Sequence, residues 1–185
     1  IGSKGISAFI IEKGMEGFTF GTHYNKMGIR SSATAELLFK NLKIPRHNLL
    51  GKEGEGFKIA MQTLEGGRIG IAAQALGIAQ GAYEKALSYS KERIQFGKSI
   101  SRQQSIAFKL ADMATKIRAA RFMVYSSAVL KQEHRNYGTE SAMAKLYASD
   151  ICLEVVNDAV QIYGGSGFIK GFPVERMYRD AKICT

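Results

Sequence analysis

Tryptophan is absent, and 185 residues hold only two prolines, two cysteines and three histidines. Each shortage excludes something. Cys152 and Cys184 are far apart, form no CxxC and have no histidine at ligand spacing. Neither a zinc site nor a disulfide framework is expected, and a reducing compartment is the default. His23, His47 and His134 are isolated and read as surface or turn residues. So few prolines leave room for long helices, and the 20 glycines must then serve turns or close approaches. No signal peptide is expected at the start. The longest charge-free stretch in the helical region, Ile69 to Tyr83, is shorter than the ~20 residues of a membrane span and predicts a buried helix.

Acidic residues are also scarce. Against 26 Lys and Arg stand 16 Asp and Glu, a formal net charge of +10. Such a balance points to anionic partners: nucleic acid, a membrane surface or phosphorylated small molecules. The positive charges are scattered, and aromatics do not interleave with them as in an RNA-binding module. No nucleic-acid partner is expected. A phosphate-rich cofactor is the better reading, with a plain solvated surface as the alternative. Hydrophobic residues make up 45%, enough for a packed core.

The pattern changes near residue 50. Before it, Ile6, Ala8 and Ile10 alternate with Ser7, Phe9 and Ile11 in a segment apolar on both faces. Phe18 to Phe20 and Thr34 to Phe39 are further β segments, and Pro45 blocks regular pairing. This portion predicts the tail of a larger β domain. After Gly51 the period becomes helical. Phe57, Met61, Leu64, Ile71, Ala75, Ile78, Ala82 and Leu87 mark a helix over Gly56 to Arg93. Ile106, Leu110, Met113, Ile117, Ala120, Val124 and Ala128 mark a second, from Ser101 or Arg102. A third spans about Thr139 to Ile162 and stops at Gly164-Gly165-Ser166-Gly167. Pro173 opens a fourth through Ala181. Short connections make neighbours antiparallel, so the fold class is mainly α: an antiparallel up-down four-helix bundle preceded by the last strands of a β domain. The domains are expected at residues 1–50 and 51–185.

Three segments are candidates to carry chemistry, and a fourth is rich in charge. In Leu64-Glu65-Gly66-Gly67-Arg68, two glycines inside a helix cost roughly 1 kcal/mol each against alanine. They fit where a ligand or another backbone must come close. Glu65 and Arg68 lie at i and i+3, so a surface ion pair beside a close helix crossing is the alternative. Arg93, Gln95 and Phe96, with Gln104 after the turn, place a guanidinium fork and amides for a phosphate group. Arg93 simply complementing the helix dipole is the plainer account. Gln161-x-x-Gly164-Gly165 offers an amide and bare backbone after a helix, the reverse order of the dinucleotide fingerprint, and would otherwise be a helix stop. Pro173 to Lys182 reads as a solvated helix with internal charge pairs.

In order and spacing these segments resemble the acyl-CoA dehydrogenase family, most closely its short-chain, butyryl-CoA type, over essentially the whole chain. Lys26-Met27-Gly28-Ile29-Arg30, Ile44-Pro45, Gly51 to Phe57 and Arg179-Asp180-Ala181-Lys182 also match its motifs. The resemblance implies a middle β domain, a C-terminal bundle, usual assembly as a tetramer, and FAD at a subunit boundary. It implies that Arg93, Gln95, Phe96 and Gln104 contact FAD's pyrophosphate and adenosine side. Gln161, Gly164 and Gly165 would hold the adenosine portion of a partner subunit's flavin. Leu64, Glu65, Gly66, Gly67 and Arg68 would line the acyl-CoA pocket.

The implied reaction is α,β-dehydrogenation of an acyl thioester, with electrons passed to an electron-transfer flavoprotein in the bacterial cytoplasm or the mitochondrial matrix. The family's glutamate base lies in a Tyr-Glu-Gly-Thr segment after Asp-Ala-Lys, hence beyond Thr185. The alternative position for it, just before the arginine, is Gly67, which cannot serve. No base is therefore expected within these residues, the last bundle helix is expected to be absent, and the chain alone is expected to be inactive. A non-catalytic helical assembly or CoA-ligand-binding module is the competing expectation, and a related acyl-CoA oxidase a third.

Overall fold

The computed structural model describes residues 2–185. Its order is β1 (Ala8–Phe9), β2 (Phe18–His23), β3 (Ala35–Phe39), β4 (Leu49–Leu50), α1 (Gly56–Glu92), β5 (Ile94–Gln95), β6 (Lys98–Ser99), α2 (Gln104–Gln132), α3 (Gly138–Tyr163) and α4 (Pro173–Ala181). The chain divides into two compact units. The first runs to Lys26 and resumes over Arg30–Leu64; the second comprises Met27–Ile29 and Glu65–Thr185. The division thus falls inside α1.

In the first unit, β2 and β3 form an antiparallel hairpin with Phe18 opposite Phe39 and a bulge between Phe20 and His23. The Phe18 and Phe39 rings stack at 5.4 Å. β1 pairs with β4, and the buried Asn48 joins them by donating from Nδ2 to the Ile10 carbonyl at 2.8 Å. β1 is shorter than its apolar pattern predicts, and Ile6, Phe9 and Ile10 are exposed, because no second layer of described residues covers them. Gly56 starts α1 where a Cβ would stand 2.6 Å from the Ser7 carbonyl carbon, so only glycine fits that backbone approach.

The second unit is helical, as the 3.6-residue period requires. Lys109 pairs with Asp158 and Lys116 with Glu154, so α2 and α3 run antiparallel. Arg121 donates to Gln80 at 2.8 Å, and Lys131 reaches Gly66, so α1 and α2 do the same. The ring of Phe172, ahead of α4, meets Tyr163 edge-on, and Cys184, beyond it, meets Ser149. α4 therefore returns along α3. The result is an up-down-up-down arrangement of three long helices and one short one.

The core differs from the predicted stripe on α1. Ala72, Ala75, Leu76, Ala79, Ala82 and Ala86 are buried, whereas Phe57, Met61 and Leu64 are exposed. The charge-free stretch buries one face only; Gly70, Ala73 and Gly77 are exposed. On α2, Ser127 is buried in place of Ala128, its hydroxyl satisfied by the Val124 carbonyl at 2.8 Å. The predicted face of α3 is buried throughout, from Ala144 to Ile162. Alanine dominates the α1 core because small side chains let helices approach closely. Among the described residues no helix is long and apolar enough to cross a membrane.

Candidate nucleotide cleft

α1 ends at Glu92, and Arg93 follows it, its N–H still donating to the Tyr89 carbonyl at 2.9 Å. The chain then makes a tight hairpin, with Ile94 opposite Ser99 and Gln95 opposite Lys98. Its two turn residues, Phe96 and Gly97, have φ of +53° and +74°. Left-handed backbone at both positions is what a two-residue hairpin demands. Glycine meets that demand freely; a phenylalanine there is strained, and Phe96 is also 92% exposed.

α3 ends beside this hairpin. Gly164 caps it at φ +58°, ψ −138°, a conformation open to glycine alone. A Cβ on Gly164 or Gly165 would meet nothing within 4 Å. The backbone there is bare to solvent. Arg93, Gln95, Gly164 and Gly165 line one cleft of about 430 Å³, shared with Tyr89, Ile100, Ile162, Tyr163 and Ser166. Arg93 enters none of the four ion pairs among the described residues. A guanidinium without an acidic partner and a side-chain amide make a donor set for a phosphate-bearing ligand, beside a glycine backbone that no side chain covers; the Gly164 N–H itself donates to the Gln161 carbonyl.

The other predicted flavin residues stand outside that lining. Phe96 tips the hairpin, Gln104 is the first residue of α2, and Gln161 lies on the exposed side of α3; all three are exposed. Tyr89 was not singled out by sequence. Its signal was there: it precedes Arg93 by four residues and so shares its helix face.

The Leu64 to Arg68 segment lies elsewhere on α1. Glu65 and Arg68 form no ion pair, so the surface-pair reading does not hold. Glu65 instead approaches Gly138 at the start of α3, where an acidic side chain suits the helix dipole. A Cβ on Gly66 would stand 2.9 Å from the Lys131 ammonium, while one on Gly67 would meet open space. Gly66 thus answers to a helix neighbour, and Gly67 is the bare position.

The Pro173 to Lys182 segment is more than a solvated helix. Arg179 pairs with Glu175 through both terminal oxygens, at 2.9 and 3.3 Å, and donates to the Met27 carbonyl at 2.8 Å. Its hydrogen bond holds the Glu175 carboxyl below the usual carboxylate range. The Ile29 N–H donates to Asp180 at 2.7 Å. Two motifs some 150 residues apart in sequence therefore meet.

Residues 54–185 match the family described as Acyl-CoA dehydrogenase, C-terminal domain. This chain belongs to the acyl-CoA dehydrogenase family. It is 55% identical over 182 residues to the short-chain-specific acyl-CoA dehydrogenase of Clostridium acetobutylicum, covering 98% of this chain and 48% of that protein. It superposes on butyryl-CoA dehydrogenase from Megasphaera elsdenii with a TM-score of 0.97 at 55% identity, covering 99% of this chain and 48% of the other. A chain in the solved structure reported as electron transferring flavoprotein of Acidaminococcus fermentans matches at TM-score 0.98 and 61% identity, with 99% and 48% covered. The chain spans about half the length of these relatives. Within it, the family's C-terminal domain supplies the cleft, both glycine turns and the Arg179–Asp180 latch.

Proposed function

We propose that these residues form the C-terminal portion of a short-chain acyl-CoA dehydrogenase and hold the adenosine and pyrophosphate side of its FAD. Residues 1–50 are read as the end of its middle β domain and 51–185 as the helical domain. The observation that carries the proposal is the convergence of unpaired Arg93, Gln95 and the bare Gly164–Gly165 backbone on one cleft. The Arg93 guanidinium forks onto phosphate, and the bare Gly164–Gly165 backbone lets the nucleotide come close with no side chain in the way. Phe96 and Gln104 join Arg93 and Gln95 on the pyrophosphate and adenosine side, and Gln161 joins Gly164 and Gly165 on the adenosine portion of a flavin bound at a neighbouring subunit. Leu64 to Arg68 lines the acyl-CoA side, where Gly67 leaves space for the thioester. FAD, when bound, is the hydride acceptor. No residue described here is assigned the α-proton base; a glutamate beyond Thr185 is proposed for it.

The product is the trans-2-enoyl-CoA, and electrons leave through an electron-transfer flavoprotein. The exposed faces of α2 and α3 carry Phe122, Tyr125 and Leu146, 65%, 60% and 62% exposed. Exposed apolar side chains of that kind support assembly, and we assign them to the tetramer.

The test is an FAD titration of the full-length apoprotein. Arg93→Ala is expected to weaken binding by more than about tenfold, the range of a charge-assisted phosphate contact. Unchanged affinity would remove the assignment. Residues 1–185 alone should not bleach added flavin when given butyryl-CoA; bleaching would show that they hold their own base.

A further inference from the structure

The Tyr89 and Tyr163 rings stack at 4.1 Å with planes 13° apart. Their places in the chain matter. Tyr89 lies one helical turn before Arg93, and its carbonyl accepts the Arg93 N–H. Tyr163 is the last residue of α3, immediately before Gly164. The stack therefore joins the two segments that build the cleft: the Arg93 hairpin from α1 and the glycine turn from α3. Phe172 braces the pair edge-on against Tyr163 at 6.1 Å. The Tyr163 hydroxyl reaches the Lys85 carbonyl only at 3.4 Å, too long to be the main tie.

Tyr89 and Tyr163 both line the cleft holding Arg93, Gln95 and Gly165. They also line a second of about 330 Å³ with Glu84, Lys85 and Glu92, so the stack is a wall the two clefts share.

We propose that Tyr89 and Tyr163 are positioning residues for the flavin's nucleotide portion: a stacked strut that fixes the Arg93 hairpin against the Gly164 turn. This rests on the FAD assignment above. Neither tyrosine need touch the cofactor for it to hold. The ring matters and the hydroxyl does not, so phenylalanine should rescue what leucine loses.

The experiment uses full-length apoprotein and FAD, with affinity read by quenching of flavin fluorescence. Each variant is measured well below its own melting temperature, so that simple loss of stability does not register. Tyr163→Leu is expected to weaken FAD binding by roughly three- to tenfold, the range of a lost aromatic pair. Tyr163→Phe should restore it to within about twofold. Tyr89→Leu, at the half-buried ring, should reproduce the loss, and the double leucine variant should lose little more than either single one. The strut is overturned if both leucine variants bind FAD like the parent, or if Tyr163→Phe loses as much as Tyr163→Leu. Arg93→Ala separates this from the underlying assignment. If it weakens binding while the leucine variants do not, only the strut fails; if it too leaves binding unchanged, the FAD site itself is misplaced.

Discussion

Gly28 has room for hydrogen and nothing larger. A Cβ there would stand 2.4 Å from the Arg179 carbonyl oxygen and 2.8 Å from the Asp180 Cα, both backbone atoms that cannot swing aside. Gly28→Ala should destabilise the protein by about 2–3 kcal/mol in a urea melt, as overpacking does. Next to it, Ile29 sits at φ +47°, a rare conformation for a β-branched residue, held by the Asp180 carboxylate. The two cysteines are free and buried. Burial pushes the Cys152 thiol up to about 12 and raises Cys184 as well. The buried thiolate is disfavoured, so both should resist alkylation at pH 8 and react only after unfolding. Below the ordinary thiol value near 9 both states keep the proton and stability is whole. Between there and about 12 the unfolded chain sheds protons that the fold retains, and stability falls with rising pH. Cys152→Ala should flatten that alkaline decline in urea melts compared across pH 8 to 10; an unchanged slope would contradict it.

Among the elements, the Arg93–Ser99 hairpin departs from local preference. Asn-Gly is the favoured pair for such a turn, yet Phe96-Gly97 occupies it. Phe96→Asn should raise the melting stability of the apoprotein by about 1 kcal/mol, the relief of left-handed strain, while lowering FAD affinity. A variant that lost both would show the ring to be structural. The end of α3 behaves oppositely. Gly164→Ala meets no clash, so its expected cost of roughly 1–3 kcal/mol comes from backbone strain alone.

For the molecule as a whole, the proposed tetramer makes a distinct demand. Phe122 and Leu146 are solvent-facing in this chain. Phe122→Glu in the full-length protein should lower the mass measured by sedimentation, because a charge cannot be buried in an apolar contact without a partner. Retention of the tetramer would move the interface elsewhere. Salt should also weaken FAD binding if Arg93 meets phosphate, since partly exposed charges are screened.

The amino-acid sequence determined the helices by period and by the residues at their ends. The stripe from Ala144 to Ile162, the stop at Gly164 and the start at Pro173 follow from side-chain spacing, from glycine's freedom to adopt positive φ and from proline's fixed φ. The same period misplaced the early part of α1, because an apolar stripe cannot say where a neighbouring helix ends. The motif residues Arg93, Gln95, Gly164 and Gly165 were legible as chemistry, but each alone had a plain structural account. Only tertiary structure placed them around one cleft, set the Tyr89–Tyr163 stack between them, and joined Met27–Ile29 to Arg179–Asp180. Those are contacts between segments distant in the chain. Local propensity fixes an element's type and ends; which faces meet is settled by packing, where the small alanines of α1 and the glycine at 28 let the backbones come close.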